Sequence, residues 1–332
     1  MDRRKRAIAL FVAASPVAMS ENSPKVHDAL RLEPGRLWTR VTEQTAIALD
    51  RGALQSIPTD CEIVEENGIP FLVRILQNLA RKEAAKRKQQ RKSEKTGKSF
   101  NPFLPYDRDL FVADLSETHL CLLNKFNVVD HHLLVVTREF EDQQELLTRR
   151  DFEAIGACLT EFPSLAFYNG GRVAGASQPH KHLQLVPLPL TPDSFSALPI
   201  AEAIARAKYD GEIGTVADFP FVHAVGKLDP DWGKSPGEGA VEALQLYRKL
   251  LRAIGLEVEG STGERQSGPY NWLATRDWMF VIGRSHECFE SISVNSLGFA
   301  GALLVRNAEQ LARLKALGPM QVLAAVGRAP LS

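Results

Sequence analysis

The sequence has few cysteines, and their spacing excludes most cysteine chemistry. The four lie far apart and form no CxxC pair: Cys61, Cys121, Cys158 and Cys288. This argues against a disulfide framework and against a tetrahedral thiolate zinc site. A reducing compartment fits such a sequence, and we expect a cytoplasmic protein.

An excess of charge of one sign is also absent. The 40 Lys and Arg residues balance the 40 Asp and Glu residues, so the net charge is zero. No global field therefore attracts nucleic acid or an anionic membrane. No apolar run approaches the ~20 residues that span a bilayer. Residues 2–14 loosely resemble a signal peptide, but we interpret residues 1–36 as a loosely ordered extension ahead of the fold.

The most informative feature of the sequence is a short segment with two histidines. Residues 175–184 read Gly-Ala-Ser-Gln-Pro-His-Lys-His-Leu-Gln. In a strand, His180, His182 and Gln184 would point to the same face, because strand side chains alternate. The small residues before them leave backbone N–H groups accessible to a phosphate oxygen. An imidazole beside such a loop can attack phosphorus and carry a nucleotidyl group covalently.

Other interpretations of the histidines are weaker. Two alternating histidines can ligate zinc, but that site needs a further His, Cys or carboxylate, and none is close in sequence. We therefore expect no protein-bound metal. Isolated histidines are more often structural, and we assign that role to the remaining six: His27, His119, His131, His132, His223 and His286.

Hydrophobic patterns predict an α+β fold. In the first half they indicate a helix over 41–53, strands at 69–76, 119–123 and 132–137, a helix over 143–159, and strands at 165–168 and through the histidine motif. Thr148 or Asp151 would cap the second helix. The run at 83–99, rich in Lys and Arg, indicates a solvated loop.

A related order recurs in the second half without a second His-x-His. A middle segment at 191–260 contains a helix over 241–254, and the recurring order follows it at 270–317: strands at 270–275 and 278–283 joined by a tight turn, a segment at 293–305 and a helix at 308–317. This suggests a degenerate duplication. We expect two unequal halves, residues 37–190 and 191–332, to form one continuous, mostly antiparallel sheet flanked by helices.

The motif at 177–184 resembles the signature of the ATP adenylyltransferases, or diadenosine tetraphosphate phosphorylases. These form the transferase branch of the histidine-triad superfamily, in which His-x-His-x-Gln replaces the third histidine of the hydrolases. Segments 123–137, 167–170 and 295–301 resemble the family's nucleotide-binding turn, asparagine turn and C-terminal segment. The resemblance covers residues 37 to 317 and implies a histidine-triad-like fold.

Residue by residue, the resemblance implies that His182 is the nucleophile and that Gln184 contacts the transferred phosphate, with His180 beside them. The residues that it implies for the nucleotide and its phosphates are Lys82, Asn124, Lys125, Asn169, Gly170, Gly175, Ala176, Ser177, Gln178, Asn295, Ser296, Leu297 and Arg306. Ala302 stands where the family can carry a larger apolar residue, so we do not count it as a contact.

The implied reaction is reversible phosphorolysis of diadenosine tetraphosphate (Ap4A) to ATP and ADP through an adenylyl-histidine. Gln184 can orient a phosphate but cannot activate water, so the intermediate would wait for an anionic acceptor. We expect no tightly bound cofactor, and we expect Mg²⁺ to accompany the polyphosphate. The partners would be small nucleotides and phosphate, and the chain would be a monomer or a homodimer.

Two alternatives differ in class. A hexose-1-phosphate nucleotidylyltransferase, such as galactose-1-phosphate uridylyltransferase, also ends its signature in His-x-His-x-Gln, but that family usually has a cysteine-rich metal site near its N-terminus. A catalytically silent protein would bind adenine nucleotides and form no covalent adduct.

Overall fold

The structure is a computed structural model and describes residues 30–77, 101–190, 197–235, 237–256 and 265–330. The residues before 30, the basic loop at 83–99 and the candidate Lys82 lie outside the described residues.

The described chain contains both α-helices and β-strands. The helices are α1 (Leu37–Asp50), α2 (Arg149–Glu161), α3 (Ala201–Ala205), α4 (Glu238–Ala253), α5 (Ser296–Phe299), α6 (Ala308–Leu317) and α7 (Pro319–Val326). The strands are β1 (Thr59–Glu66), β2 (Ile69–Leu76), β3 (Phe111–Asp114), β4 (His119–Leu123), β5 (Leu133–Thr137), β6 (Ser164–Gly170), β7 (His182–Pro187), β8 (Lys208–Asp210), β9 (Ile213–Thr215), β10 (His223–Lys227), β11 (Tyr270–Ala274), β12 (Trp278–Gly283), β13 (Cys288–Phe289), β14 (Ile292–Ser293) and β15 (Ala302–Val305).

Ten strands form one sheet in the order β3-β4-β5-β7-β6-β11-β12-β10-β9-β8. Every neighbouring pair in it is antiparallel. The pairing of β6 with β11 joins the two halves, with Gly170 opposite Tyr270 and Ala166 opposite Ala274. The predicted α+β fold with one continuous antiparallel sheet is confirmed.

The ten-stranded sheet consists of two copies of one five-stranded unit. In each copy three strands form a meander, a helix follows, and a hairpin closes the unit: β3-β4-β5-α2-β6-β7 and β8-β9-β10-α4-β11-β12. Read inward from their outer edges, both copies have the same spatial order, first, second, third, fifth, fourth. The repeat therefore spans 208–283 and not 270–317, because β15 leaves the large sheet and pairs in parallel with β2.

The two faces of the sheet are covered differently. Helices α1, α2 and α4 share one hydrophobic core with sheet residues such as Leu183, Leu185 and Trp272. The opposite face of the second copy packs against β2, β15 and helices α5 to α7. In β7 the alternation places Leu183 and Leu185 in the helical core, so the residues that alternate with them, His182, Gln184 and Val186, face the other way.

Helix α2 begins later than the periodicity predicted. Thr148 is its N-cap, as expected, and a capping box forms because Asp151 accepts from the Thr148 backbone while Thr148 accepts from the Asp151 N–H. Residues 143–148 precede the helix. Phe162, whose backbone is extended as expected before a proline, and Pro163 follow the helix and lead into β6.

The capping carboxylate also anchors the histidine motif. Lys181 lies between the two histidines in sequence, on the helical side of the sheet, and is fully buried. Its Nζ lies 2.9 Å from Asp151 Oδ2 and 3.0 Å from Glu141 Oε2, and it donates to the Leu146 carbonyl. Burial lowers the pKa of Lys181, but the two carboxylates raise it by more, so the ammonium stays charged. Asp151 also accepts from His119 Nε2 at 3.0 Å.

This buried pair should stabilise the fold strongly. Removing one partner leaves the other charge buried and poorly compensated, so we expect Asp151→Asn to lower the free energy of unfolding by about 3 kcal/mol. Lys249→Met, which breaks the exposed Lys249–Glu212 pair, is the matched control and should change it by less than about 1 kcal/mol. Urea denaturation followed by tryptophan fluorescence measures both. Equal effects of the two substitutions would contradict the anchoring role.

Candidate active site

His182 begins strand β7 with its tautomer fixed. Its Nδ1 lies 2.7 Å from the backbone carbonyl oxygen of His180. A carbonyl oxygen can only accept, so Nδ1 carries the proton and Nε2 keeps its lone pair. No described residue hydrogen-bonds to Nε2. Because the imidazole is buried, the pKa of His182 falls to about 4, and the ring is neutral at physiological pH. A neutral imidazole with an unengaged Nε2 is a nucleophile.

His180 has a different environment and cannot share that role. Its Nε2 lies 2.9 Å from the Thr137 carbonyl oxygen, to which it must donate, and its Nδ1 accepts from the Asn101 amide at 2.8 Å. Both ring nitrogens are therefore engaged. Burial lowers the pKa of His180 as well, so this ring is also neutral. The two bonds hold the His180 backbone, and with it the carbonyl that orients His182.

Gln184 is oriented by a histidine that directly precedes the neighbouring strand β5. His132 Nδ1 accepts from the Asn124 amide at 3.3 Å, so its proton is on Nε2, which donates to Gln184 Oε1 at 3.0 Å. Burial lowers the pKa of His132 to about 4, which keeps this ring neutral. The engaged oxygen leaves the Gln184 amide N–H groups without an acceptor among the described residues. They are the groups that a phosphate oxygen needs.

Gln143 holds the start of β7 against the end of β6. Its Oε1 accepts from the His182 backbone N–H at 2.8 Å. Its Nε2 donates to the Asn169 carbonyl at 3.0 Å and to the His182 carbonyl at 3.3 Å. Phe103 packs against both histidine rings, with centroid distances of 5.5 Å to His180 and 5.3 Å to His182. The His182 side chain is therefore fixed through its backbone as well as through its ring.

Between β6 and β7 lies a segment that we call the glycine loop, residues 171–178. Gly171 and Gly175 flank a 3₁₀ turn and have positive φ, 83° and 95°. A side chain at Gly175 would also meet Asn295, whose Cβ would lie 2.7 Å away. The N–H groups of Gly175 and Ala176 are used inside the loop. Those of Ser177 and Gln178 have no acceptor among the described residues, so they are the anion-binding candidates.

The second half meets this loop through a buried polar network. Asn169 Oδ1 accepts from the Ser296 N–H at 3.0 Å, from Ser296 Oγ at 2.8 Å and from Asn271 Nδ2 at 2.9 Å. Asn271 also donates to the Ala174 carbonyl in the glycine loop. All three polar side chains are buried. The sequence candidates Asn169, Gly170, Gly175 and Ser296 therefore lie together, although they come from both halves.

Four other candidates lie near this cluster or outside it. Asn295 caps α5 by accepting from the Leu297 N–H. With Leu297 it lines a cleft whose remaining walls are Arg74, Val128, Val129, Leu190, Ala302, Leu303 and Leu304. Lys125 instead pairs at the surface with Asp107, 3.6 Å away. Arg306 is exposed after β15, and no described side-chain bond links it to the cluster.

Sequence reasoning missed His132, Gln143 and Asn271. His132 was assigned a structural role; it lies just before β5 and reaches Gln184 diagonally, since Leu134 is the residue opposite Gln184, and the sequence alone does not give that register. Gln143 was placed in a helix. Among the described residues, no group of three His, Cys, Asp or Glu side chains converges as a metal site would, and no helix is long and apolar enough to cross a membrane.

Comparison with known proteins agrees with this geometry. The sequence model of the Ap4A phosphorylase N-terminal domain matches residues 27–206, and that of the ATP adenylyltransferase C-terminal domain matches residues 217–329. Diadenosine 5',5'''-P1,P4-tetraphosphate phosphorylase 2 of Saccharomyces cerevisiae is 29% identical over 269 residues, 74% of this chain and 78% of the relative. Protein APA1 of the same yeast is 24% identical over 305 residues, 85% of this chain and 90% of the relative.

Two crystal structures share the fold. Yeast Ap4A phosphorylase Apa2 in complex with Ap4A superposes with a TM-score of 0.72 at 22% identity, over 91% of this chain and all of that chain (100%). Its complex with AMP gives a TM-score of 0.69 at 23% identity, over 91% and 99%.

The matched ATP adenylyltransferase domain and the yeast relative define the chain as a nucleotidyltransferase enzyme. Since the family models match most of its length, the chain belongs to the ATP adenylyltransferase (Ap4A phosphorylase) family. The predicted resemblance is confirmed, and the hexose-1-phosphate alternative is set aside.

The orientation of Gln184 by His132 can be tested. We expect His132→Ala to lower the nucleotidyl-transfer rate by about a hundredfold, because the carboxamide of Gln184 loses its fixed donor and can rotate. His132→Gln can present an N–H near the former Nε2 and should restore a large part of the rate. His223→Gln, in the second half, serves as the control and should leave the rate unchanged. Equal losses for His132→Ala and His132→Gln would speak against the hydrogen bond.

Proposed function

We propose that this protein catalyses the reversible phosphorolysis of Ap4A to ATP and ADP through an adenylyl group on His182. The observation that carries the proposal is the Nδ1–H bond to the His180 carbonyl, which leaves Nε2 of a neutral imidazole as the nucleophile. Family membership supports the substrate class, since two of the yeast relatives' structures hold Ap4A and AMP.

In the first step, His182 Nε2 attacks the α-phosphorus of Ap4A. The new N–P bond replaces the P–O bond to the remaining phosphates, and ATP leaves. In the second step, an oxygen of inorganic phosphate attacks the same phosphorus, the N–P bond breaks, and ADP leaves. Dividing one difficult displacement into two is the usual advantage of a covalent intermediate.

Donors with fixed positions would supply most of the acceleration, because charge gathers on the phosphoryl oxygens. The candidates are the Gln184 amide and the N–H groups of Ser177 and Gln178, which are unoccupied by described acceptors. Gln184 has no group that takes a proton from water. The intermediate should therefore persist until phosphate arrives.

A polyphosphate substrate would also need a divalent cation and side chains that contact the nucleotide. Mg²⁺ would enter with the polyphosphate, held by phosphate oxygens and water. The family resemblance supports six further nucleotide contacts: Lys82, Asn124, Lys125, Arg306, Asn295 and Leu297. Of these, Lys125 and Arg306 would have to turn toward the ligand.

We infer that the protein works in the cytoplasm on small nucleotides, as a monomer or homodimer, without nucleic acid.

A phosphate-free experiment separates the proposal from its alternatives. Ap4A should release a burst of one ATP per chain and then stop, and intact mass should rise by one adenylyl group. Adding phosphate should then release ADP. His182→Ala should show neither burst nor adduct, whereas His223→Ala should show both. Binding without any adduct in the wild type would favour the silent nucleotide-binding protein, and steady AMP release without phosphate would contradict the role of Gln184.

The first step should also have an unusual pH profile. Protonation of Nε2 abolishes the nucleophile, and burial lowers the pKa of His182 to about 4. The rate of the ATP burst should therefore be flat from about pH 8 down to about pH 5 and fall only below that, whereas an ordinary histidine would lose rate near pH 6.5. Rapid-quench measurement of the burst without phosphate tests this, with circular dichroism at each pH to confirm that the protein stays folded. An acid limb near pH 6.5 would refute the buried, neutral state.

A further inference from the structure

Arg284 follows strand β12 and is buried beneath the glycine loop, with 1% of its surface exposed. Its guanidinium donates to oxygen atoms that carry no formal charge: Asn271 Oδ1 at 2.5 Å, the carbonyls of Ala174 at 3.2 Å, His286 at 2.7 Å and Val294 at 2.9 Å, and, through Nε, the Val326 carbonyl at 3.2 Å. All three nitrogen atoms of the Arg284 guanidinium, Nε, Nη1 and Nη2, thus donate hydrogen bonds.

The charge of Arg284 nevertheless has no anionic partner in the described part of the chain; the guanidinium lies over the Phe299 ring, 5.2 Å from its centroid. Among the described residues no carboxylate lies within ion-pair distance of it, and Glu287 acts only at longer range. Burial lowers the pKa of Arg284 to about 10, so the side chain remains protonated at neutral pH. A buried cation usually has an anionic partner, because removing it from water is costly. The missing anion is therefore the feature to explain.

The contacts of Arg284 reach both walls of the nucleotide site. The Ala174 carbonyl belongs to the glycine loop, and the Val294 carbonyl directly precedes Asn295. Asn271, held by Arg284, donates in turn to Asn169 and Ser296. Gly175 lies so close to Asn295 that no side chain would fit between them. One side chain therefore sets the spacing between the loop of the first half and the segment of the second.

We propose that Arg284 is a positioning residue of the nucleotide site and that its buried charge is compensated by the phosphates of the bound nucleotide. The inference deepens the proposed function and rests on it in one respect, that the ligand is a nucleoside polyphosphate. In a site shielded from water, a fixed positive charge attracts an anion much more strongly than a solvated one does. Its contribution should therefore increase with the number of phosphates on the ligand.

Binding of a series of ligands tests this. We would measure adenosine, AMP, ADP and ATP by calorimetry in the His182→Ala background, where no covalent step intervenes. Arg284→Met and Arg284→Gln remove the charge and should leave adenosine affinity within about twofold, while ATP affinity falls by about tenfold or more and AMP affinity by less. Arg284→Lys keeps the charge and should recover most of the ATP affinity.

Arg328→Met provides the matched control, because that guanidinium donates to the Ile254 carbonyl and does not contact the glycine loop. It should not change the dependence on phosphate number. A loss of the same size for adenosine and ATP, or no loss, would overturn the inference. If both neutral variants fail to fold by circular dichroism, Arg284→Lys decides alone, since a tenfold loss of ATP affinity with the charge retained would overturn it.

These measurements do not depend on turnover. A protein that forms no adenylyl-histidine but shows the graded loss would support the inference while refuting the proposed reaction. A protein that forms the adenylyl-histidine, but whose loss of affinity does not depend on the number of phosphates, would support the proposed reaction and refute the inference.

Discussion

The hydrogen bond from His182 Nδ1 to the His180 carbonyl is the constraint on which the rest of the site depends. It assigns the proton to one ring nitrogen and leaves the other free to react. Its geometry depends on where the His180 backbone lies, and that is set by Thr137 and Asn101 on one side and by the bridge to residue 142 on the other. The chemistry of one nitrogen atom thus depends on the packing of several chain segments.

The alternation of β7 divides the work of the motif between two faces. Lys181 and Leu183 face the helices and fix the strand, while His182 and Gln184 face the site. The residues between the functional positions are therefore as constrained as those positions, for a different reason. The motif combines a reactive face and an anchored face in five residues.

Local patterns in the sequence predicted a large part of this arrangement. The spacing of His180, His182 and Gln184 predicted a common face, and the strands and the cap at Thr148 followed from periodicity and side-chain chemistry. Contacts set by strand register could not be predicted in the same way. His132 meets Gln184 because β5 pairs with β7 in one particular register, and Arg284 meets Ala174 across the join between the halves. The repeat was misplaced because β8 and β9 have only three residues each, too few for a hydrophobic pattern.

The two five-stranded units meet at β6 and β11 as two identical subunits would meet across a dyad, but in one polypeptide. Two identical subunits must present the same surface twice, so a change that helps one site alters both. Here the second unit has apolar residues such as Phe280 and Ile282 in the strand that corresponds to β7, and its buried Asn271 and Arg284 donate to the Ala174 carbonyl in the glycine loop. Because the two units are joined in one chain, their side chains can differ, and the contact between them does not depend on protein concentration.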